Sequence, residues 1–352
     1  MACKPQLLYC ALRVEVCLKM PEVKERIFGY DALKALAAFL VVLYHVRMVD
    51  FGYREGVYYI PTFTQVIWLF CACGVPLFFM VNGALTVRKQ YDARKSYTKA
   101  GRLVLAAIVW GVIAQLLLAI RHHAVPSLAI SSLTYYWFLF SLALLYVVNY
   151  LLSRMPQWCR WMVVGLLVIS PFLTNLVLDI ILLVDPGTHL LRWRHGAFTL
   201  YGLVYLYLGD YLAHHNSKKW IVAICAIIGL ALLALEATAV VNHTHAQFET
   251  GNFCFPTVGA LMLSAALFVM VKDLNPAKNW LRRVVLFLGN NALGIYIFHL
   301  LIMIVLGGLF PIIRETTVHP IVAILIAMAY TIVAAAISEA IRHTPLAFLL
   351  KL

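Results

Sequence analysis

The chain has 352 residues, 63% of them hydrophobic and only 12% charged, with a mean hydropathy of +0.88. This composition excludes a water-soluble domain of that size, which could not keep so much apolar surface in solution. The net charge is +13, and where its cations fall decides whether nucleic acid or a membrane explains it.

The first nineteen residues, MACKPQLLYCALRVEVCLK, hold a short apolar stretch interrupted by Arg13 and Glu15, without a convincing cleavage site. A secretory signal peptide is therefore not expected. Two readings stay open, an amphipathic surface helix or a segment upstream of a natural start at Met20.

Beyond it, apolar runs of about 17 to 25 residues recur, each long enough to cross a hydrocarbon core roughly 30 Å thick. The spans are placed at 29–49, 63–86, 103–120, 133–152, 161–184, 196–213, 220–241, 256–271, 284–309 and 320–341. The expected fold is all-α, a polytopic membrane protein of about ten transmembrane helices. With the N-terminus inside, 21 of the 28 Lys and Arg residues fall in cytoplasmic segments and six outside, while Lys34 lies within the membrane. Both termini are thus expected in the cytoplasm. The division is a cytoplasmic segment 1–28, one membrane domain 29–342 and a tail 343–352. The charge reports topology, and no nucleic-acid partner is expected.

The first span, YDALKALAAFLVVLYHV, carries Asp31, Lys34 and His45, and ionisable groups at that depth are costly enough to imply a use. Eleven positions separate Lys34 from His45. At 100° per residue that is three turns plus about 20°, so both leave one face, roughly 16 Å apart along the axis. Asp179, Glu236 and Glu339 are further intramembrane carboxylates, and His299 lies about as deep as His45. Glu236, level with His45, is a candidate to orient its imidazole, and Glu339 a candidate to neutralise Lys34. The external stretch HLLRWRHG presents Arg192, Trp193 and Arg194, which suit an acidic glycan or an interfacial anchor equally. His243 and His245 lack further ligands at usable spacing, and no metal is expected.

Several segments in order carry a family likeness. YDALKALAAFLVVLYH resembles the opening of the acyltransferase-3 family, whose hallmark is Arg or Lys, ten residues, then His. GVPLFFMVNGALTV resembles its Phe-Phe-x-x-Ser-Gly segment, YTKAGRL its basic third-helix start, YYWFLFSLALLY its Trp-Phe fourth helix, and LGNNALGIYIFH a late helix ending in Tyr-x-x-His. Two positions depart from the pattern. Lys34 stands where Arg is commoner and supplies a point charge without the bidentate fork. Asn82 replaces Ser, which excludes an acyl-serine at that position.

The resemblance implies an acetyl-CoA dependent O-acyltransferase of the bacterial plasma (inner) membrane. It would move an acyl group from cytoplasmic acyl-CoA to a hydroxyl of an envelope glycan or lipid-linked saccharide. His45 would be base or acyl carrier, with His299 and Glu236 beside it. Lys34, Asn82, Arg88, Lys99 and Arg102 would hold the donor, and Tyr136, Trp137, Arg192, Trp193 and Arg194 the acceptor. Membrane lipids are the other partner, and the residues leave the oligomeric state undecided. The alternative is a secondary transporter or flippase, for which Pro171 in the fifth span supplies one helix break but no symmetric counterpart is seen.

Overall fold

The computed structural model describes residues 27–46, 53–54, 57–58, 63–89, 92–122, 135–185, 200–244, 256–276, 279–309 and 318–350. Apart from a two-residue antiparallel hairpin, β1 (Tyr53–Arg54) with β2 (Val57–Tyr58), these residues are almost entirely helical. In chain order the helices are α1 (Phe28–Tyr44), α2 (Phe63–Cys71), α3 (Gly74–Thr86), α4 (Ala93–His122), α5 (Trp137–Ser153), α6 (Gln157–Leu167), α7 (Thr174–Val184), α8 (Gly202–His214), α9 (Lys219–Thr244), α10 (Val258–Lys272), α11 (Trp280–Asn290), α12 (Ala292–Leu309) and α13 (Pro320–Arg342).

Each of the ten apolar runs carries helix. Among the described residues five stretches are long and apolar enough to cross a membrane: Val66–Thr86, Ala93–Ile120, Gln157–Val184, Lys219–Ala239 and Pro320–Arg342. A sixth is added if α11 and α12 count together. The Val66–Thr86 window is 83% buried against 28–33% for the other four, which places it inside the bundle. The outer helices expose Ile227, Leu166, Ile169, Leu325 and Ile332. Side chains of that kind belong in lipid, where they carry no solvation penalty.

Two spans differ from straight rods. Pro171 lacks the N–H that an α-helical turn needs, and the turn between α6 and α7 widens to a π-helix over Val168–Leu173. The run expected as one helix over 284–309 bends by 74° between α11 and α12. Asn291, fully buried at that break, supplies the bonds an unbroken backbone would make. Its side-chain amide donates to the Phe287 carbonyl (3.1 Å) and to Glu339 Oε2 (3.0 Å), and Ser338 Oγ donates to its Oδ1 (2.8 Å).

The centre is α1, which packs against α3, α10, α11, α12 and α13. Next to it α3 and α8 cross with backbones nearly touching. A Cβ on Gly83 would run into the Leu206 carbonyl, and one on Gly209 into the Met80 backbone, the close approach small residues permit in membranes. Lys272, expected in a cytoplasmic loop, is instead buried at the end of α10. Its Nζ donates to the Leu212 (2.7 Å) and His215 (3.0 Å) carbonyls and caps the C-terminus of α8.

Candidate active site

His45 is the C-cap of α1, one residue past Tyr44, and its ring is exposed at that end of the helix. His299 comes from the middle of α12 and is completely buried. Their ring centroids lie 5.0 Å apart at an interplanar angle of 57°. Each Nδ1 sits against a carbonyl one turn back on its own helix, Val41 at 2.8 Å for His45 and Ile295 at 3.0 Å for His299. A carbonyl can only accept, so both Nδ1 atoms carry the hydrogen and both neutral rings offer Nε2 as a proton acceptor. Nε2 of His299 is buried without a hydrogen-bond partner.

The Val41 carbonyl holds the His45 ring that Glu236 was expected to orient, and Glu236 is buried on α9. The expected neutralisation of Lys34 by Glu339 is also replaced. Lys34 Nζ lies 2.6 Å from Oδ1 of buried Asp31, one turn earlier on α1, while Glu339 accepts from Asn291 and stands 3.6 Å from His343.

At the end of the bundle that carries the basic 88–102 stretch, a cavity of about 320 Å³ opens beside α1, within the roughly 300–1,000 Å³ of small-molecule sites. Lys34, Lys89, Lys99 and Arg342 line it, and among its lining residues there is no carboxylate. Asn82 lines it too, its Oδ1 accepting from the Tyr146 hydroxyl (2.8 Å) and its amide donating to the Phe78 carbonyl (2.8 Å). Lys99 stands over the Tyr146 ring, 5.4 Å from its centroid. Arg342 donates to the Asn290 carbonyl, and its Nε is buried without a partner. The helix break brings Gly289, Asn290, Ala292 and Leu293 to the wall. Gly289 is required there, because any Cβ would strike the Asp31 backbone.

The cavity thus gathers Lys34, Asn82 and Lys99 of the residues expected to hold the donor, and leaves out two. Arg88 turns away to Asp210, with Nε 3.0 and 3.2 Å from the two carboxylate oxygens. It thereby ties the end of α3 to α8, and Arg102 is exposed outside the lining. Lys89, next to Arg88, points in instead. Of the residues expected to bind the acceptor, Tyr136 is fully buried, donating to the Ile297 carbonyl (3.2 Å). Trp137 is half-buried with its ring 6.4 Å from that of Phe138. Arg192, Trp193 and Arg194, and the side chains of His243 and His245, lie outside the described residues.

Sequence reasoning missed Arg342, Tyr146, Phe138 and Tyr296, and expected Lys89 only as one cation of the basic 88–102 loop facing the donor phosphates. Tyr296 was visible as the Tyr of the Tyr-x-x-His motif, three residues before His299 and so on its face of the helix.

The family model of the acyltransferase domain, Acyl_transf_3, matches residues 27–339. The chain belongs to the acyltransferase-3 family. No curated protein and no solved structure matches it. Family membership and the apolar helices together make the chain a multi-pass membrane protein and a transferase of acyl groups. The matched region holds Lys34, His45 and His299, together with every element that lines the cavity apart from Arg342 and Leu350.

Proposed function

We propose that the protein transfers an acyl group, acetyl by preference, from acyl-CoA to a hydroxyl of an envelope glycan or a lipid-linked saccharide in the bacterial plasma membrane. The observation that carries this reading is the facing pair His45 and His299, set on the same helices, α1 and α12, that wall the cation-lined cavity.

The donor is an anion with a long neutral arm. Lys89, Lys99 and Arg342 meet its phosphates at the mouth as charge-assisted donors. Lys34 stands deeper with Asp31 beside it, and Asn82 has an amide N–H to offer the arm. The roughly 16 Å of helix rise from Lys34 to His45 is about the length of an extended pantetheine arm. This delivers the thioester toward the histidines.

The acceptor hydroxyl oxygen then attacks the thioester carbonyl as His45 Nε2 takes its proton. The new C–O bond forms, the C–S bond breaks, and the departing CoA thiolate recovers a proton from the imidazolium. His299, with its own Nε2 open, stabilises the charge on His45 while the proton is held there. Asn82 has no hydroxyl, and no acyl-enzyme at that position enters the route.

The test is incubation of the purified protein in lipid nanodiscs with acetyl-CoA labelled in the acetyl carbon, with and without a membrane-lipid extract containing lipid-linked saccharides. Label moving to the extract, with one CoA thiol released per label, is the expected result. Uptake of labelled saccharide by proteoliposomes in the absence of any acyl donor would favour a transporter and contradict it.

A further inference from the structure

Two aromatic rings stand between the cation-lined cavity and the histidines. Phe138 and Tyr296 close the cavity at its inner end, with ring centroids 5.1 Å apart. Tyr296 lies 6.0 Å from the His299 ring on the far side, and neither His45 nor His299 reaches the cavity. Both barrier rings are buried, at 2% and 4% exposure.

We propose that Phe138 and Tyr296 select the acyl group by size, admitting acetyl and refusing chains of four or more carbons. The inference rests on the acyl-CoA reading above and adds to it the residues that decide the acyl chain. The acyl end leads as the arm enters from the basic mouth, so these rings are the first surface it meets. Whatever passes must fit between them and the imidazoles.

Neither ring has room to retreat. Phe138 is wedged between Phe78, at 5.5 Å, and Phe79, at 5.0 Å. The Tyr296 hydroxyl donates to the Tyr135 carbonyl at 3.4 Å, holding its ring across the end of the cavity. Tyr136 flanks that ring at 6.4 Å. A close-packed interior of this kind absorbs a small group and rejects extra methylenes, because side chains already in contact must leave their rotamers.

The full-length protein in nanodiscs is titrated calorimetrically with CoA and with non-hydrolysable acyl-CoA ketone analogues carrying two-, four- and six-carbon acyl groups. The expected wild-type preference for two carbons over six is about tenfold or more, the scale on which an apolar pocket separates chain lengths. Phe138→Ala is expected to abolish or reverse that ratio, each analogue being compared with CoA on the same variant. Phe138→Leu, which preserves apolar packing if the alanine variant does not fold, is expected to narrow it. A ratio unchanged from wild type in both variants, or a wild type indifferent to chain length, overturns the proposal. A wild type that does not bind CoA at all removes the donor reading and this inference with it, a result distinct from a flat chain-length profile at intact CoA affinity.

Discussion

His45 and His299 face one another with ring centroids 5.0 Å apart, each held by a hydrogen bond from Nδ1 to a carbonyl of its own helix. The two rings come from opposite ends of the chain, yet both are oriented locally, so replacing one leaves the other in place. Replacing His299 by Gln keeps an acceptor there but removes a group that can share a proton. We predict that His299→Gln lowers the rate of acetyl transfer by about tenfold or more, with the donor KM unchanged. Steady-state kinetics on the variant in nanodiscs would show it. An equal rise in KM would instead assign His299 to donor binding.

Lys34 and Asp31 form an ion pair of 2.6 Å in which the carboxylate is almost fully buried. Taking away the cation removes one partner of that buried carboxylate and weakens its compensation, the direction expected when an ion pair is broken from one side. Lys34→Met is therefore expected to lower the thermal unfolding temperature in detergent as well as donor affinity. Lys34→Arg is expected to preserve both. The double variant Asp31→Asn with Lys34→Met should recover most of the lost stability and none of the lost affinity.

Arg88 and Lys89 are neighbours with different fates. Arg88 pairs with Asp210 on the outside of the bundle, and Lys89 lines the cavity. Exposed pairs of the Arg88 type contribute about 0–1 kcal/mol. Arg88→Gln is predicted to leave the KM for acetyl-CoA within about twofold of wild type, a shift of the same small size as such a pair contributes. Lys89→Gln removes one phosphate contact and is predicted to raise KM about tenfold, the equivalent of one charge-assisted hydrogen bond. Equal effects from both would contradict the assignment of the cavity to the donor phosphates.

The 74° bend depends on Asn291, whose amide meets Phe287, Glu339 and Ser338 at once. Asn291→Leu deprives buried Ser338 of its acceptor, at about 1–3 kcal/mol for a buried group left unsatisfied, while the partly exposed carboxylate of Glu339 loses one donor. A drop in unfolding temperature is expected, together with reduced donor binding, because the first turn of α12 would no longer line the cavity in the same place. Asn291→Asp, which keeps the acceptor for Ser338 and opposes Glu339, should be at least as damaging.

Much of this architecture was legible in the sequence because bilayer thickness imposes a length on apolar runs, and helix appears in all ten of them. Helical periodicity suggested one face for Lys34 and His45 and a common depth for His45 and His299, but depth does not say which way a ring points, and the contact of the two rings needed the structure. The bend at Asn290 and Asn291 was hidden, since two amides in an apolar run read as tolerated polar residues until their partners on α13 are known. The split between Arg88 and Lys89 was hidden for a similar reason. Both residues lie in the turn after α3, and the pairing of Arg88 with Asp210 of α8, invisible in the sequence, decides which of them faces inward.

The most direct measurement of the central claim compares wild type with His45→Ala in nanodiscs, following acetyl transfer from labelled acetyl-CoA and, on the same samples, equilibrium binding of CoA. Removal of a general base predicts that His45→Ala binds CoA as wild type does while transfer falls by about 10²- to 10⁴-fold. Transfer at the wild-type rate by a variant that lacks this imidazole would contradict the account.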